Sequence, residues 1–401
     1  MNSKGKGKIL IFILVAIVII LGILFAHMIY APTLNPNNTL DNNLNVSTEN
    51  IVAPDSTSNN DLFSTYYSQA DSLLSTMTLD EKVGQMFLAR YPESSNMAIK
   101  EINEDTPGGY ILFARDFKNE TKDSIKQKLE ECQNASKIDL FLGVDEEGGT
   151  VVRVSSYKNF RNYPFEAPRD IYSKSGMSGI ISDSHEKSEL LKSLGLNMNL
   201  TPVVDVPSSS SDFIYDRAFS TNVNEVVNFA ENVINTMKED NIISVMKHFP
   251  GYGNNVDTHT GIAIDKRDIT TFENTDFLPF EKGIELGCPF ILVNHNIVEC
   301  MDSEKPASLS KNVHDILRND LSFTGLIITD DLAMDAVNEY VENGNAATTA
   351  VLAGNDMIIS SDFTNQKDEI INAVNNGIIS EDIINDSVRR ILACKLAYGI
   401  I

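Results

Sequence analysis

Asn241-Ile242-Ile243-Ser244-Val245-Met246-Lys247-His248-Phe249-Pro250-Gly251-Tyr252-Gly253 is the stretch on which the fold turns. Its first half is a short, largely β-branched apolar run of the kind that makes a buried strand. Pro250, Gly251 and Gly253 then forbid continuation as a regular element. Lys247 and His248 are thereby predicted at a strand's C-terminal end, where a purely structural strand would need neither charge nor imidazole.

Runs of the same kind recur outward from it: Gln85 to Leu88, Tyr110 to Phe113, Leu140 to Val144, Leu200 to Val204, Ser244 to Lys247, Phe290 to Asn294, Leu326 to Thr329 and Met357 to Ser360. They read as strands buried on both faces. Their alternation with amphipathic stretches implies parallel βα units. Eight units predict an α/β fold, a TIM-like (β/α)8 barrel; a doubly wound open sheet would use the same units, but no glycine-rich dinucleotide fingerprint follows an early strand. Just past the runs stand Asp145, Asp205, Lys247 with His248, His295 and Asp330. In a barrel the C-terminal strand ends converge on one active-site face, so these groups are expected together. Asp205, ahead of Pro207 and four serines, reads equally well as a helix cap.

The rest of the chain frames this domain. Ile9 to Ala26 are 18 consecutive apolar or glycine positions behind Lys4, Lys6 and Lys8, about 27 Å as a helix against a hydrocarbon core of roughly 30 Å. The expected organisation is a basic cytoplasmic segment at 1–8, a transmembrane signal-anchor at 9–30, an Asn/Ser/Thr/Pro-rich linker at 31–60 and a catalytic barrel at 61–401. This would leave the barrel outside the cell membrane on a single span. A cleaved signal peptide is the rival, but Leu24 and Ile29 stand where a cleavage site wants small residues. Thr78-Leu79-Asp80-Glu81 has the capping-box pattern of a helix start. A net charge of -24, from 32 basic and 56 acidic residues, argues against a nucleic-acid partner. Cys132, Cys288, Cys300 and Cys394 have no metal or redox spacing; they could pair in an exported chain or serve as small buried hydrophobes.

Two residues apart on a glycine-flanked loop, Asp257 can hold the His259 imidazole in one tautomer and raise its basicity, which makes a general acid/base near neutral pH. Asp330, at the end of an apolar strand, is the candidate nucleophile. A carboxylate for attack with a proton donor opposite is the arrangement of retaining glycoside hydrolysis. Arg, Lys and Asp at strand ends offer the charged, fixed partners that pyranose hydroxyls need.

Lys247-His248-Phe249-Pro250-Gly251-Tyr252-Gly253 with Asp257-Thr258-His259, Asp145-Glu146-Glu147-Gly148-Gly149, Thr201-Pro202-Val203-Val204-Asp205, Asp216-Arg217-Ala218-Phe219 and Thr329-Asp330 together resemble glycoside hydrolase family 3, within it the β-N-acetylglucosaminidases. The resemblance runs from about Leu74 to the end. It implies a TIM barrel that removes terminal β-linked N-acetylglucosamine, typically from peptidoglycan fragments. It further implies retention through a covalent glycosyl-enzyme on Asp330, with Asp257 and His259 as the acid/base dyad. Asp145, Arg153, Arg217, Lys247 and His248 would hold the sugar hydroxyls. Two departures stand out: Thr150 where many relatives carry arginine, and Tyr252 where histidine is common.

The sequence ends soon after Lys395, where a barrel's last helix would end, so the proton donor is expected from the barrel itself. A monomer working on carbohydrate without cofactor is expected. β-Glucosidase or glycoside phosphorylase activity is the alternative within the family; phosphorolysis is raised by the neutral histidine, which places less negative charge near the anomeric carbon. Outside the family, His248, Asp257, His259 and Asp330 could ligate zinc or iron, but the loop lacks compact histidine spacing. The remaining alternative is an inactive, membrane-tethered sugar-binding protein.

Overall fold

A computed structural model of the chain describes residues 61–255, 263–333, 337, 340 and 345–401. The expected basic segment, anchor and linker, together with Asp257 and His259, lie outside the described residues. Among those described, no helix is long and apolar enough to cross a membrane.

Eight parallel strands make one sheet: β1 (Phe87–Arg90), β2 (Gly109–Leu112), β3 (Phe141–Val144), β4 (Met198–Asn199), β5 (Ile243–Phe249), β6 (Phe290–Val293), β7 (Leu326–Thr329) and β8 (Ile358–Ser360). Each pairs with the next in chain order from β1 to β7, and β8 returns to β1 with Phe87 opposite Ile358. A parallel bridge between Ile328 and Met357 joins β7 to β8 and closes the ring. The expected barrel is therefore the fold. Five of the eight strands are buried along their whole length as four-residue or longer runs, as a barrel lined inside and covered by helices requires. Phe141 and Phe290 meet edge-to-face across its core, ring centroids 5.5 Å apart.

Two predicted strands are displaced. The helix Leu79–Gln85 keeps Gln85, so β1 begins at Phe87. That helix starts as read, with Thr78 and Glu81 forming the reciprocal capping box. The run Leu200 to Val204 lies beyond β4, because Pro202 has no N–H to continue a ladder. It still lies along β5: Val245 N donates to Thr201 O (3.0 Å), Lys247 N to Pro202 O (3.1 Å) and Val204 N to Lys247 O (2.8 Å). This irregular edge carries the chain to Asp205.

Strand β5 has its own irregularity. Lys247 is opposite Leu292 and Phe249 opposite Val293, so His248 is an extra residue in the ladder. A bulge of this kind re-aims the side chains around it, and both Lys247 and His248 line the cavity described below. Of the four cysteines, Cys132, Cys288 and Cys394 are buried, Cys300 is exposed, and all are free thiols.

Candidate active site

The C-terminal strand ends enclose a cavity of about 460 Å³, lined among others by Asp145, Arg153, Arg217, Lys247, His248 and Asp330. That volume suits a small ligand. These six predicted residues thus share one cavity: Asp145 and Arg153 follow β3, Arg217 follows β4, Lys247 and His248 lie at the end of β5 and Asp330 follows β7, whereas Asp205 and His295, also expected on this face, do not line it.

Lys247 organises one wall. Its ammonium lies 2.6 Å from Asp145 Oδ1 and 2.7 Å from Glu147 Oε1. Glu147 also accepts a fork from Arg217, through Nε at 3.0 Å and Nη2 at 2.8 Å. Two acids and two bases therefore neutralise one another in a largely buried cluster. Burial alone would push Glu147 up, but Lys247 and Arg217 outweigh it and hold its carboxyl well below the usual carboxylate range. Burial likewise works against the charge on Lys247, and Asp145 and Glu147 reverse it and raise the ammonium above its ordinary value. Arg153 approaches Asp145 at 3.8 Å.

His248 takes a supporting place. Its Nδ1 is 2.7 Å from Asp205 Oδ2 and its Nε2 is 3.1 Å from Arg217 Nη2. A carboxylate can only accept and a guanidinium can only donate, so the ring carries its proton on Nδ1 and turns the Nε2 lone pair to Arg217. The imidazole lines the cavity while fixing Arg217, rather than offering a free nitrogen to a hydroxyl. Asp205 is no helix cap: its other oxygen accepts from Tyr252 N at 2.8 Å, and the Tyr252 ring stands edge-on to His248 with centroids 5.2 Å apart.

Asp330 directly follows β7 and lines the same cavity. Its backbone N–H donates to Val293 O at 3.1 Å, and its Oδ1 accepts from Asp331 N at 2.9 Å. Asp331 also borders the cavity, but its carboxylate accepts from the N–H groups of Ala333 and Ser361, each at 3.0 Å, and from the Ser361 hydroxyl. It ties the end of β7 to that of β8. His295 is spent on the same neighbourhood, with Nδ1 2.7 Å from Ser308 Oγ and Nε2 3.2 Å from Asp331 O.

Three site residues escaped the sequence reading. Glu147 was in view within Asp145-Glu146-Glu147, but which of the acids faces inward depends on the turn. Glu146 points away and accepts from the N–H groups of Arg153 (2.8 Å), Val154 (2.7 Å) and Ser155 (3.2 Å), so it shapes the loop that presents Arg153. Arg90 and Phe113 also line the cavity. The Arg90 and Arg153 guanidinium carbons lie 5.0 and 5.8 Å from the Phe113 ring centroid. Arg90 ends β1, so the rule that flagged polar residues at strand ends would have found it.

The comparisons with known proteins agree with this geometry. A β-hexosaminidase of Nitrosomonas eutropha is 30% identical over 278 residues, covering 68% of this chain and 79% of its own. One from Methylobacillus flagellatus is 30% identical over 282 residues, covering 68% and 78%. Among solved structures, a glycoside hydrolase family 3 β-N-acetylglucosaminidase from Paenibacillus sp. str. FPU-7 superposes with a TM-score of 0.76 at 28% identity; the match covers 81% of this chain and 63% of that longer one. The profile described as the glycosyl hydrolase family 3 N terminal domain matches residues 78–394. With its barrel, its strand-end cluster and these relatives, the chain belongs to glycosyl hydrolase family 3.

Proposed function

We propose that this protein is a retaining, exo-acting β-N-acetylglucosaminidase that removes terminal β-linked N-acetylglucosamine. The observation that carries the reading is the meeting of Asp330 with Asp145, Arg153, Arg217 and Lys247 on one cavity. The β-hexosaminidase relatives support the sugar. In this reading Asp330 attacks the anomeric carbon and forms a covalent glycosyl-enzyme as the aglycone leaves. His259, oriented by Asp257, protonates the departing oxygen and then takes a proton from the water that releases the sugar. The charged wall is built for hydroxyls. Asp145 and Glu147 accept, Lys247 and Arg217 donate, and because each is already fixed by its neighbours little ordering is lost when the sugar binds.

Peptidoglycan-derived fragments are the proposed natural substrates, worked on outside the cytoplasmic membrane, with residues 9–30 as the anchor. The apolar run and its preceding lysines support that location.

Hydrolysis of aryl β-N-acetylglucosaminide beside aryl β-glucoside tests the activity. Turnover of the first alone, lost by about a thousandfold or more in Asp330→Ala as expected for a removed nucleophile, is the expected result. Turnover of the glucoside alone would refute the substrate, and turnover of neither would favour a sugar-binding protein.

A further inference from the structure

Arg267 stands outside the sugar-facing cluster, yet the chain gathers around it. It follows Ile264–Asp265, a two-residue strand paired in parallel with Ile297–Val298. Its guanidinium reaches Asp265 Oδ2 through Nε (3.0 Å) and Nη2 (2.8 Å), Asp276 Oδ2 through Nη1 (2.8 Å) and Gly251 O through Nη2 (3.3 Å). Asn255 joins the same hub, donating to Asp265 Oδ2 at 2.7 Å and to Tyr252 O at 2.8 Å. The segment 256–262, whose sequence contains Asp257 and His259, runs between Asn255 and Ala263. Arg267 on Gly251 O and Asp265, together with Asn255 on the same Asp265 carboxylate, therefore link the chain before that segment to the chain after it.

The backbone is shaped to fit this hub. At Gly251, with φ at +127°, a Cβ would stand 2.1 Å from Asp276 Oδ1; at Gly253, with φ at +53°, it would stand 2.4 Å from Arg267 Cζ. Both glycines are needed because the ion cluster occupies the space a side chain would take. The cluster itself is a poor stabiliser. Asp265 and Asp276 are 1% and 2% exposed and share one cation, and Asp276 Oδ1 is buried with no hydrogen-bond partner among the described residues. Burial pushes Asp276 up to about 6 even with Arg267 beside it. Buried ionic groups of this kind contribute definition of geometry more readily than free energy.

We propose that Arg267 is a positioning residue for proton donation: by joining Gly251 to Asp265 and Asp276, and by fixing the Asp265 carboxylate to which Asn255 also bonds, it sets the spacing of the two ends between which the acid/base dyad lies. This rests on the assignment of Asp257 and His259 to that dyad.

The test uses the full-length protein and two substrates, 2,4-dinitrophenyl and phenyl β-N-acetylglucosaminide. The dinitrophenolate leaves without protonation and the phenolate does not. A general acid contributes about 10²–10⁴, so Arg267→Gln is expected to lose about ten- to a hundredfold in kcat/KM on the phenyl glycoside and less than about threefold on the dinitrophenyl one. Arg267→Lys, which keeps the charge without the fork, should fall between. His259→Ala should show the same selectivity, more strongly. Equal losses on both substrates in Arg267→Gln, with His259→Ala still selective, would overturn the role of Arg267 and leave the dyad standing. Absence of selectivity in His259→Ala would overturn the dyad and the positioning role with it. If Arg267→Gln does not fold, Asn255→Ala removes one tie while sparing the ion cluster; selective loss on the phenyl glycoside supports the proposal, and equal loss or none overturns it.

Discussion

Lys247 is held between two carboxylates, one of which it shares with Arg217, and that single junction sets both the charge balance and the acid sensitivity of the cleft. Glu147 titrates in the unfolded chain near 4.3 and well below that in the fold, because two buried cations outweigh its desolvation. A depressed carboxyl contributes stability that is fully present above the unfolded value and is lost as pH falls toward the folded one. Glu147→Gln should therefore cost about 3–5 kcal/mol at pH 7, the usual result of removing one partner from a buried ion cluster. Chemical denaturation at pH 7 and pH 3 should show that deficit shrinking in acid, because the window of loss lies below the unfolded value; a deficit independent of pH would show that Glu147 is not the acid-labile group. At this scale the sequence was readable where a polar residue ends an apolar run, as with Asp145, Lys247 and Asp330. It was not readable for Glu147 and His248, whose roles depend on partners from other strands: a hydrogen bond from Arg217 to His248 Nε2 joins residues with no local signal connecting them.

Among the elements, the loop after β3 shows how backbone conformation decides which side chains reach the cavity. Gly148 has φ at +101°, and a Cβ there would lie 2.3 Å from the backbone oxygen of Glu166. Gly148→Ala combines strain with a clash that a backbone atom cannot relieve. It should lower kcat/KM at least about tenfold through displaced Glu147 and Arg153, with thermal stability also reduced; unchanged kinetics would mean that the loop does not set the site. Most strands were legible because a strand covered on both faces must be continuously apolar. The fourth was misplaced because apolar residues extend past the point where Pro202 interrupts the ladder, and β1 because its first apolar-adjacent residue belongs to the preceding helix. Hydrophobicity reports burial, and it does not report where hydrogen bonding stops.

The described residues form a barrel with its chemistry at the C-terminal strand ends and a buried lysine beside Gln85, ahead of the first strand. Lys395, fully buried in the helix Glu381–Ala397, donates to Gln85 Oε1 at 2.7 Å. Burial lowers its ammonium to about 7. The unfolded lysine keeps its proton to about pH 10, so between these values the unfolded state binds more protons and stability rises with pH. Lys395→Met should accordingly raise the melting temperature relative to wild type most at or below pH 7, with the advantage shrinking by pH 10. A constant difference across that range would show that Lys395 is charged in the fold. The claim on which the functional account depends is covalent attack by Asp330. Its most direct test is to trap the glycosyl-enzyme with a 5-fluoro derivative of N-acetylglucosaminyl fluoride and map the labelled peptide by mass spectrometry. The label is predicted on Asp330 and absent from Asp330→Ala; a label on Asp331 or another carboxylate, or turnover that survives in Asp330→Ala, would contradict it.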